Sequence, residues 1–306
     1  MSNLLGGTSM KFMVSGLVNI ETNVKVREFP IPYYPIDFNF FGIESSVGGV
    51  GYNISKALKT LGDEVDFYSF TGDDEEALRI QREFEKNEIN TKNVRNTLKA
   101  TPVSIALFDE SGRRQIYCDL KDIQENRYEL QENQSLDADV LILCNINFNR
   151  DLLKEAKTTG KLIATDVHVL DNIEDEYNKD FMEAADILFL SDEAIPCEPY
   201  DFITSIKEKY KAEVIVMGCG KNGVIYYDRR NDQIDCMKAY PVEDIVNTIG
   251  AGDALFSSFL HFYVKGNTVK DSLAKAQIFA GLKIRSNGAA EGFVTEDEVE
   301  HRFYES

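Results

Sequence analysis

The residues best suited to chemistry in this chain lie at Asn247-Thr248-Ile249-Gly250-Ala251-Gly252-Asp253, directly before a strongly apolar run. Three small residues in succession leave main-chain N–H groups uncovered, so a helix starting there can aim several donors at an anion. That is a cradle for phosphate oxygens. A carboxylate at the same spot repels a bare phosphate, but it suits a base that takes a proton from a hydroxyl attacking phosphorus. Asp253 is therefore the candidate base, and the N–H groups of Gly250, Ala251 and Gly252 are the candidate anion hole. An isolated aspartate in this position is more often a helix cap. The run of small residues turns the reading toward a group that approaches the backbone closely.

Two further patterns carry polar groups. Val47-Gly48-Gly49-Val50-Gly51-Tyr52-Asn53 opens a helix with an apolar face of Ile54, Ala57, Leu58 and Leu61. Its glycines permit close ligand approach, and a flexible turn with Asn53 near the helix start explains them equally well. In Gly16-Leu17-Val18-Asn19-Ile20-Glu21, Asn19 and Glu21 stand two apart, so on an extended chain both point the same way and can hold adjacent sugar hydroxyls. A solvent-facing strand edge gives the same pattern. Gly218-Cys219-Gly220-Lys221-Asn222-Gly223 matches a dinucleotide-binding fingerprint, yet the next residues, Val224-Ile225-Tyr226-Tyr227, read as a strand where that motif needs a helix.

Such groups need rigid elements to hold them. Beyond residue 120, extended segments at 140–144, 162–165, 187–190 and 214–217 alternate with helical ones at 151–157, 180–185 and 202–210. This order predicts an α/β fold, a doubly wound and mostly parallel sheet with helices on both faces. The first half differs. After a buried-type strand at 11–17, segments 20–26 and 37–44 read as extended around Pro30-Ile31-Pro32, with no helix between them. A second extended pair, 103–108 and 115–119, flanks a hairpin turn at Asp109-Glu110-Ser111-Gly112. Together they predict a small antiparallel sheet, a lid inserted at 20–45 and 102–119 into a single domain over 10–306. Two helices, 253–264 and 269–285, close the chain, the first apolar enough to be buried. Residues 1–9 read as an expression remnant or a disordered N-terminus.

Composition narrows the partners. The 306 residues carry 52 acidic against 33 basic side chains, a net charge of −19, which repels nucleic-acid backbones and anionic membranes. The five cysteines are widely spaced with no C-x-x-C pair, and the three histidines have no metal-ligand spacing, so each histidine reads as structural or surface. No basic-then-apolar leader opens the sequence, and the longest apolar stretch, 249–264, contains Asp253 and His261. A cytoplasmic location is the expectation, with no membrane partner.

In these motifs the chain resembles the ribokinase family, also called the PfkB carbohydrate kinases, from residue 11 to about 300. Asn247 to Asp253 is similar to that family's [D/N]-T-x-G-A-G-D signature. The segment from Gly48-Gly49 to Leu61-Gly62 resembles its N-terminal glycine signature, and Thr71-Gly72-Asp73-Asp74 also looks familial. The resemblance implies a ribokinase-like fold and an ATP-dependent kinase that phosphorylates a hydroxymethyl group of a small sugar. Asp253 would be the base, Gly250, Ala251 and Gly252 the anion hole, and Asn19, Glu21, Gly48, Gly49 and Asn53 the substrate contacts. Gly220 and Gly223 match the family's nucleotide loop, with Thr248 beside the ATP phosphates, Mg2+ bridging phosphate oxygens and a monovalent cation as an optional addition. The lid would cover the sugar and pair with a second subunit's lid as a homodimer. The alternatives are a nucleoside kinase with a pseudouridine- or adenosine-like substrate, and a sugar-binding regulator that has lost transfer.

Departures bear on both metal and substrate. Leu190-Ser191-Asp192-Glu193-Ala194 stands where the family carries N-x-x-E, so Asp192 or Glu193 substitutes as a metal ligand, or the metal is held through water, or activity is reduced. Glu21 replaces the usual aspartate. Val50 replaces the lysine of ribokinases proper, and Gly-Gly-Val-Gly-x-Asn is similar to pseudouridine kinases. Tyr33, Tyr34, Phe38, Phe40 and Phe41 offer stacking faces for a base, or packing for the lid or a subunit interface.

Overall fold

Runs such as Phe12-Met13-Val14 and Val140-Leu141-Ile142-Leu143 are apolar on every residue, a pattern that suits strands covered on both faces. The computed structural model, which describes residues 9–111, 113–132 and 134–305, places them in a nine-stranded sheet. The elements run β1 (Lys11–Ser15), β2 (Asn19–Lys25), β3 (Ile43–Gly48), α1 (Val50–Thr60), β4 (Glu64–Thr71), α2 (Glu75–Lys86), β5 (Asn90–Asn96), β6 (Val103–Phe108) and β7 (Arg114–Asp119). They continue through β8 (Val140–Leu143), α3 (Arg150–Thr159), β9 (Leu162–Val169), α4 (Lys179–Ala184), β10 (Ile187–Ser191), α5 (Pro199–Lys209), β11 (Val214–Gly218), β12 (Val224–Asp228) and β13 (Gln233–Met237). Helices α6 (Ala251–Val264), α7 (Val269–Lys283) and α8 (Glu296–Glu305) close the chain.

The large sheet has the order β13-β12-β11-β10-β9-β8-β1-β4-β5, parallel from β5 to β11 and antiparallel in its last two pairs. Period-two alternation divides its side chains between two layers. Phe12, Val14, Val140, Ile142, Val214 and Val216 pack with α1, α2, α6 and α7, while Met13, Leu141, Leu143, Ile215 and Met217 face α3, α4 and α5. The doubly wound expectation thus stands. Helix α6 is buried as anticipated, with Phe256 and Phe259 against Phe189 at centroid distances of 5.0 and 5.3 Å. This anchoring fixes the α6 N-terminus at the C-terminal edge of the parallel strands, where open α/β sheets bind ligands.

The lid is a second sheet of order β3-β2-β6-β7. It is mixed rather than antiparallel, because β2 pairs with β6 in parallel. Both strands follow parallel strands of the core, β1 and β5, and so leave the same edge in the same direction. The extended segment expected at 37–44 begins instead at Ile43, since pairing with β2 runs only from Val24↔Ile43 to Asn19↔Gly48. Residues 26–42 extend past that ladder. Asp74 joins lid to core: its carboxylate caps α2 through the Ala77 N–H (3.0 Å) and accepts from the Thr101 N–H (2.7 Å) just before β6. Gly112 of the expected hairpin turn, and residues 1–8, lie outside the described residues.

Candidate active site

The loop before α6 turns so tightly that only glycine fits at Gly250, whose φ is +77° and whose added Cβ would come 2.2 Å from the Ala289 carbonyl oxygen. That turn uses one of the three expected donors: the Ala251 N–H donates to the Thr248 carbonyl at 3.2 Å, so Ala251 does not offer a free donor. Among the described residues, no main-chain carbonyl accepts from the N–H groups of Gly250, Gly252 or Asp253. A Cβ on Gly252 would meet nothing within 4 Å. Open donors therefore remain where the helix dipole adds positive potential.

Asp253 sits in this first turn with its side chain buried. Asn53, 200 residues earlier on α1, donates its Nδ2 to Asp253 Oδ2 at 2.7 Å. Burial pushes the Asp253 carboxyl above the ordinary carboxylate range; His168, the Asn53 hydrogen bond and Lys283 oppose that rise, and Asp166 adds to it. Gly51, in the first turn of α1, is required by packing. The Gly51 and Tyr52 N–H groups both donate to the Leu17 carbonyl (3.0 and 3.4 Å), and a Cβ on Gly51 would strike Gly16. They bring α1 against the β1–β2 link, on the side where Asn53 reaches Asp253.

Strand β2 begins at the same place. Asn19, Glu21 and Asn23 are all buried, so the alternative of a solvent-facing strand edge does not hold. Asn19 Nδ2 donates to Ser104 Oγ (2.9 Å) and Asn23 Nδ2 to Glu21 Oε1 (3.2 Å). Gly48 lies alongside, where a Cβ would come 3.0 Å from the Glu21 Cβ and 3.4 Å from Asn19 Oδ1. The Oδ1 atoms of Asn19, Asn23 and Asn53 are buried with no partner. Orphaned acceptors are rare in folded interiors. Three of them beside two carboxylates form a set that hydroxyl donors would satisfy. Burial raises the Glu21 carboxyl as well, and neighbouring Asp253 adds to the rise.

Other groups at this edge gave no signal in the sequence. Asp166, near the end of β9, takes the His168 N–H at 2.8 Å and lies 3.4 Å from its Nδ1. Although partial desolvation opposes protonation, Asp166 raises the half-exposed His168 imidazole to about 9. Lys283, the last residue of α7, is fully buried and donates to the carbonyls of Ile249 and Gly288. An i, i+2, i+4 count along β2 finds Asn23; no local pattern finds Lys283.

The expected nucleotide loop is a short 3-10 turn, Gly220–Asn222, between β11 and β12. Gly223 is required by packing, since its Cβ would fall 2.0 Å from the Met237 carbonyl oxygen, whereas a Cβ at Gly220 meets nothing. Thr248 is exposed. Of the two metal candidates, Glu193 is taken by Arg114 of the lid at 2.9 Å, and Asp192 stays at the end of β10 with its N–H on the Gly218 carbonyl. Among the described residues, no three Asp, Glu, His or Cys side chains come together as a metal site.

The family described as pfkB family carbohydrate kinase matches residues 10–296. Over 265 residues, 85% of this chain and 87% of the relative, the sequence is 23% identical to acarbose 7(IV)-phosphotransferase of Actinoplanes sp.. A local match of 75 residues, 24% of each protein, is 31% identical to 2-dehydro-3-deoxygluconokinase of Haemophilus influenzae. The fold is similar to that of a microbiome-derived acarbose kinase, with a TM-score of 0.85 at 21% identity over 97% of this chain and 100% of the other.

Proposed function

The chain belongs to the pfkB family of carbohydrate kinases, and on that premise we propose that it moves the γ-phosphoryl group of ATP onto a hydroxymethyl group of a small sugar, with Asp253 as general base. The observation that carries this reading is a buried carboxylate in the same helical turn as unengaged N–H groups, held by Asn53. In this reading Asp253 takes the proton as the acceptor oxygen attacks phosphorus, the new O–P bond forms, and the bond to the ADP oxygen breaks. The N–H groups of Gly250 and Gly252, joined by that of Asp253, meet the negative charge that develops. Asn19, Glu21, Asn23 and Asn53 orient the sugar, with Gly48 and Gly49 shaping the floor. ATP lies toward Gly220 and Gly223, past Thr248. Mg2+ would be held by Asp192 and phosphate oxygens, and would neutralise phosphate charge.

Sugar acceptors are favoured over nucleosides by position. Tyr33, Tyr34, Phe38, Phe40 and Phe41 are exposed in the 26–42 excursion, at the opposite end of the β2–β3 ladder from Asn19 and Gly48, which supports a sugar over a stacked base. The two curated relatives above are also named for sugar or sugar-derivative acceptors. The regulator reading keeps one support, the pairing of Glu193 with Arg114. All five cysteines are free, which supports a cytosolic location, and among the described residues no helix is long and apolar enough to cross a membrane. A panel of monosaccharides, sugar acids, oligosaccharides and nucleosides, each incubated with Mg-ATP and followed for ADP and phosphorylated product, tests the reading. Transfer to a sugar supports it; binding with no ADP release on any acceptor sinks it in favour of the regulator.

A further inference from the structure

Lys283 has no assigned part in the chemistry, yet its surroundings are unusual. A fully buried ammonium is costly unless it is neutralised and hydrogen-bonded. Here its Nζ donates to two main-chain carbonyls, Ile249 immediately before Gly250 and Gly288 at 2.8 Å. The loops that supply them are zipped together on either side: the Val246 and Asn247 N–H groups donate to the Ile284 carbonyl (2.9 and 3.1 Å), and Gly250 packs on the Ala289 carbonyl. Burial lowers the Lys283 ammonium to about 8, and the carboxylates of Asp253, Glu21 and Glu291, from α6, β2 and the loop after Ala289, oppose that fall.

Carbonyl oxygens converging on one dry point are the donor set that replaces the hydration shell of a potassium-sized cation. An ammonium is a compact point charge with three donors and satisfies the same oxygens. We propose that Lys283 is a tethered cation: it fixes the Ile249 carbonyl and thereby the aim of the Gly250 and Gly252 N–H groups, so that this kinase needs no exchangeable monovalent cation at its anion hole. A monovalent cofactor, one of the expectations from resemblance, does not fit here because the chain's own side chain fills the place. Lys283 acts through the loop and is a positioning residue.

The inference rests on the kinase reading above, and its test separates the two. Wild-type protein is assayed for ADP release in tetramethylammonium buffer with and without K+, and Lys283→Met is assayed with K+, NH4+ or methylamine added. The wild-type rate should be indifferent to K+. Lys283→Met should lose about 10²-fold in kcat, the scale of a small misplacement, and should recover part of it with the small cations, which a purely structural defect would not. Thallium(I) NMR supplies a readout without turnover: binding is expected to the variant and not to the wild type. Wild-type protein that is stimulated by K+ or binds thallium at this site overturns the inference. So does a folded variant with unchanged kcat, or one that small cations fail to rescue. If Lys283→Met does not fold, the wild-type K+ and thallium measurements decide alone. Absence of transfer by the wild type sinks the kinase reading and leaves thallium to judge Lys283.

Discussion

At the scale of single residues, the decisive group is a carboxylate made more basic by what surrounds it. Asp253 is buried and its carboxyl is raised, first by burial, while Asn53 and the cations His168 and Lys283 keep the charged form accessible. As the proposed base, Asp253 is needed in the transition state more than in the ground state. Asp253→Asn preserves shape and can still meet Asn53 through its amide oxygen, so it should lower kcat by ~10²–10⁴ with a smaller change in KM. Steady-state kinetics on the best acceptor of the panel measure this, and a near-normal kcat would remove Asp253 from its role. Glu21, raised by the same burial, lies on the lid beside the orphaned asparagine oxygens.

At the scale of elements, the two glycines flanking Ala251 make opposite predictions from one helix end. Gly250→Ala forces a side chain into the left-handed region and onto the Ala289 carbonyl, so it should cost about 1–3 kcal/mol and misdirect the N–H groups with it. Gly252→Ala enters open space in a helical first turn, where alanine has the better propensity, so melting temperature should hold or rise. Thermal melts of both variants check the pair, and equal losses would refute this account of the turn. Much of this was legible: the small-residue run before an apolar helix, the alternation after residue 120 and the two lid insertions follow from local pattern. What escaped depends on contacts distant in sequence. Gly51 read as room for a ligand because sequence cannot show the Leu17 carbonyl that takes its N–H. Parallel pairing of β2 with β6 is set by where the core strands end, and Lys283 reads as one more basic residue at a helix C-terminus until burial is known.

The far end of α6 shows how the same packing governs stability. His261 is fully buried, with Nδ1 2.6 Å from Asp63 Oδ2 and Nε2 3.4 Å from Glu296 Oε1, which ties α6 to the start of β4 and to α8. Although burial opposes protonation, these carboxylates raise the imidazole above its usual value, and His261 with Lys265 holds Glu296 down at about 2. A raised histidine contributes stability that is complete below its unfolded value of ~6.5 and is lost as pH climbs through its folded value. A depressed glutamate contributes stability present above ~4.5 and lost as pH falls toward 2. The melting-temperature difference between wild type and His261→Gln should therefore be largest between those limits and shrink above pH 6.5. A difference that grows with pH would show that His261 is buried neutral.

At the scale of the whole molecule, the lid has two faces with different tasks. The register puts Asn19, Glu21, Asn23, Ser104, Cys118 and Ile116 on the face toward the site, and Val24, Ile43, Ile105 and Tyr117 on the other. Ile43, Ile105 and Tyr117 are exposed by 45–60%, and every residue of the edge strand β7 is exposed. An open strand edge beside an exposed apolar face is a template for association unless something covers it. A second copy of the lid is the occupant that the resemblance implies, and the charge of −19 on each chain sets a condition on it. Two such chains repel, so pairing has to be driven by apolar contact and should tighten as salt screens the repulsion, the reverse of a charge-steered interface. Sedimentation at low and high ionic strength is expected to show a dimer that strengthens with salt, and Ile105→Glu is expected to leave a folded monomer. A wild type that stays monomeric at every salt concentration, or a dimer indifferent to Ile105→Glu, would mean that this face is not where the subunits meet.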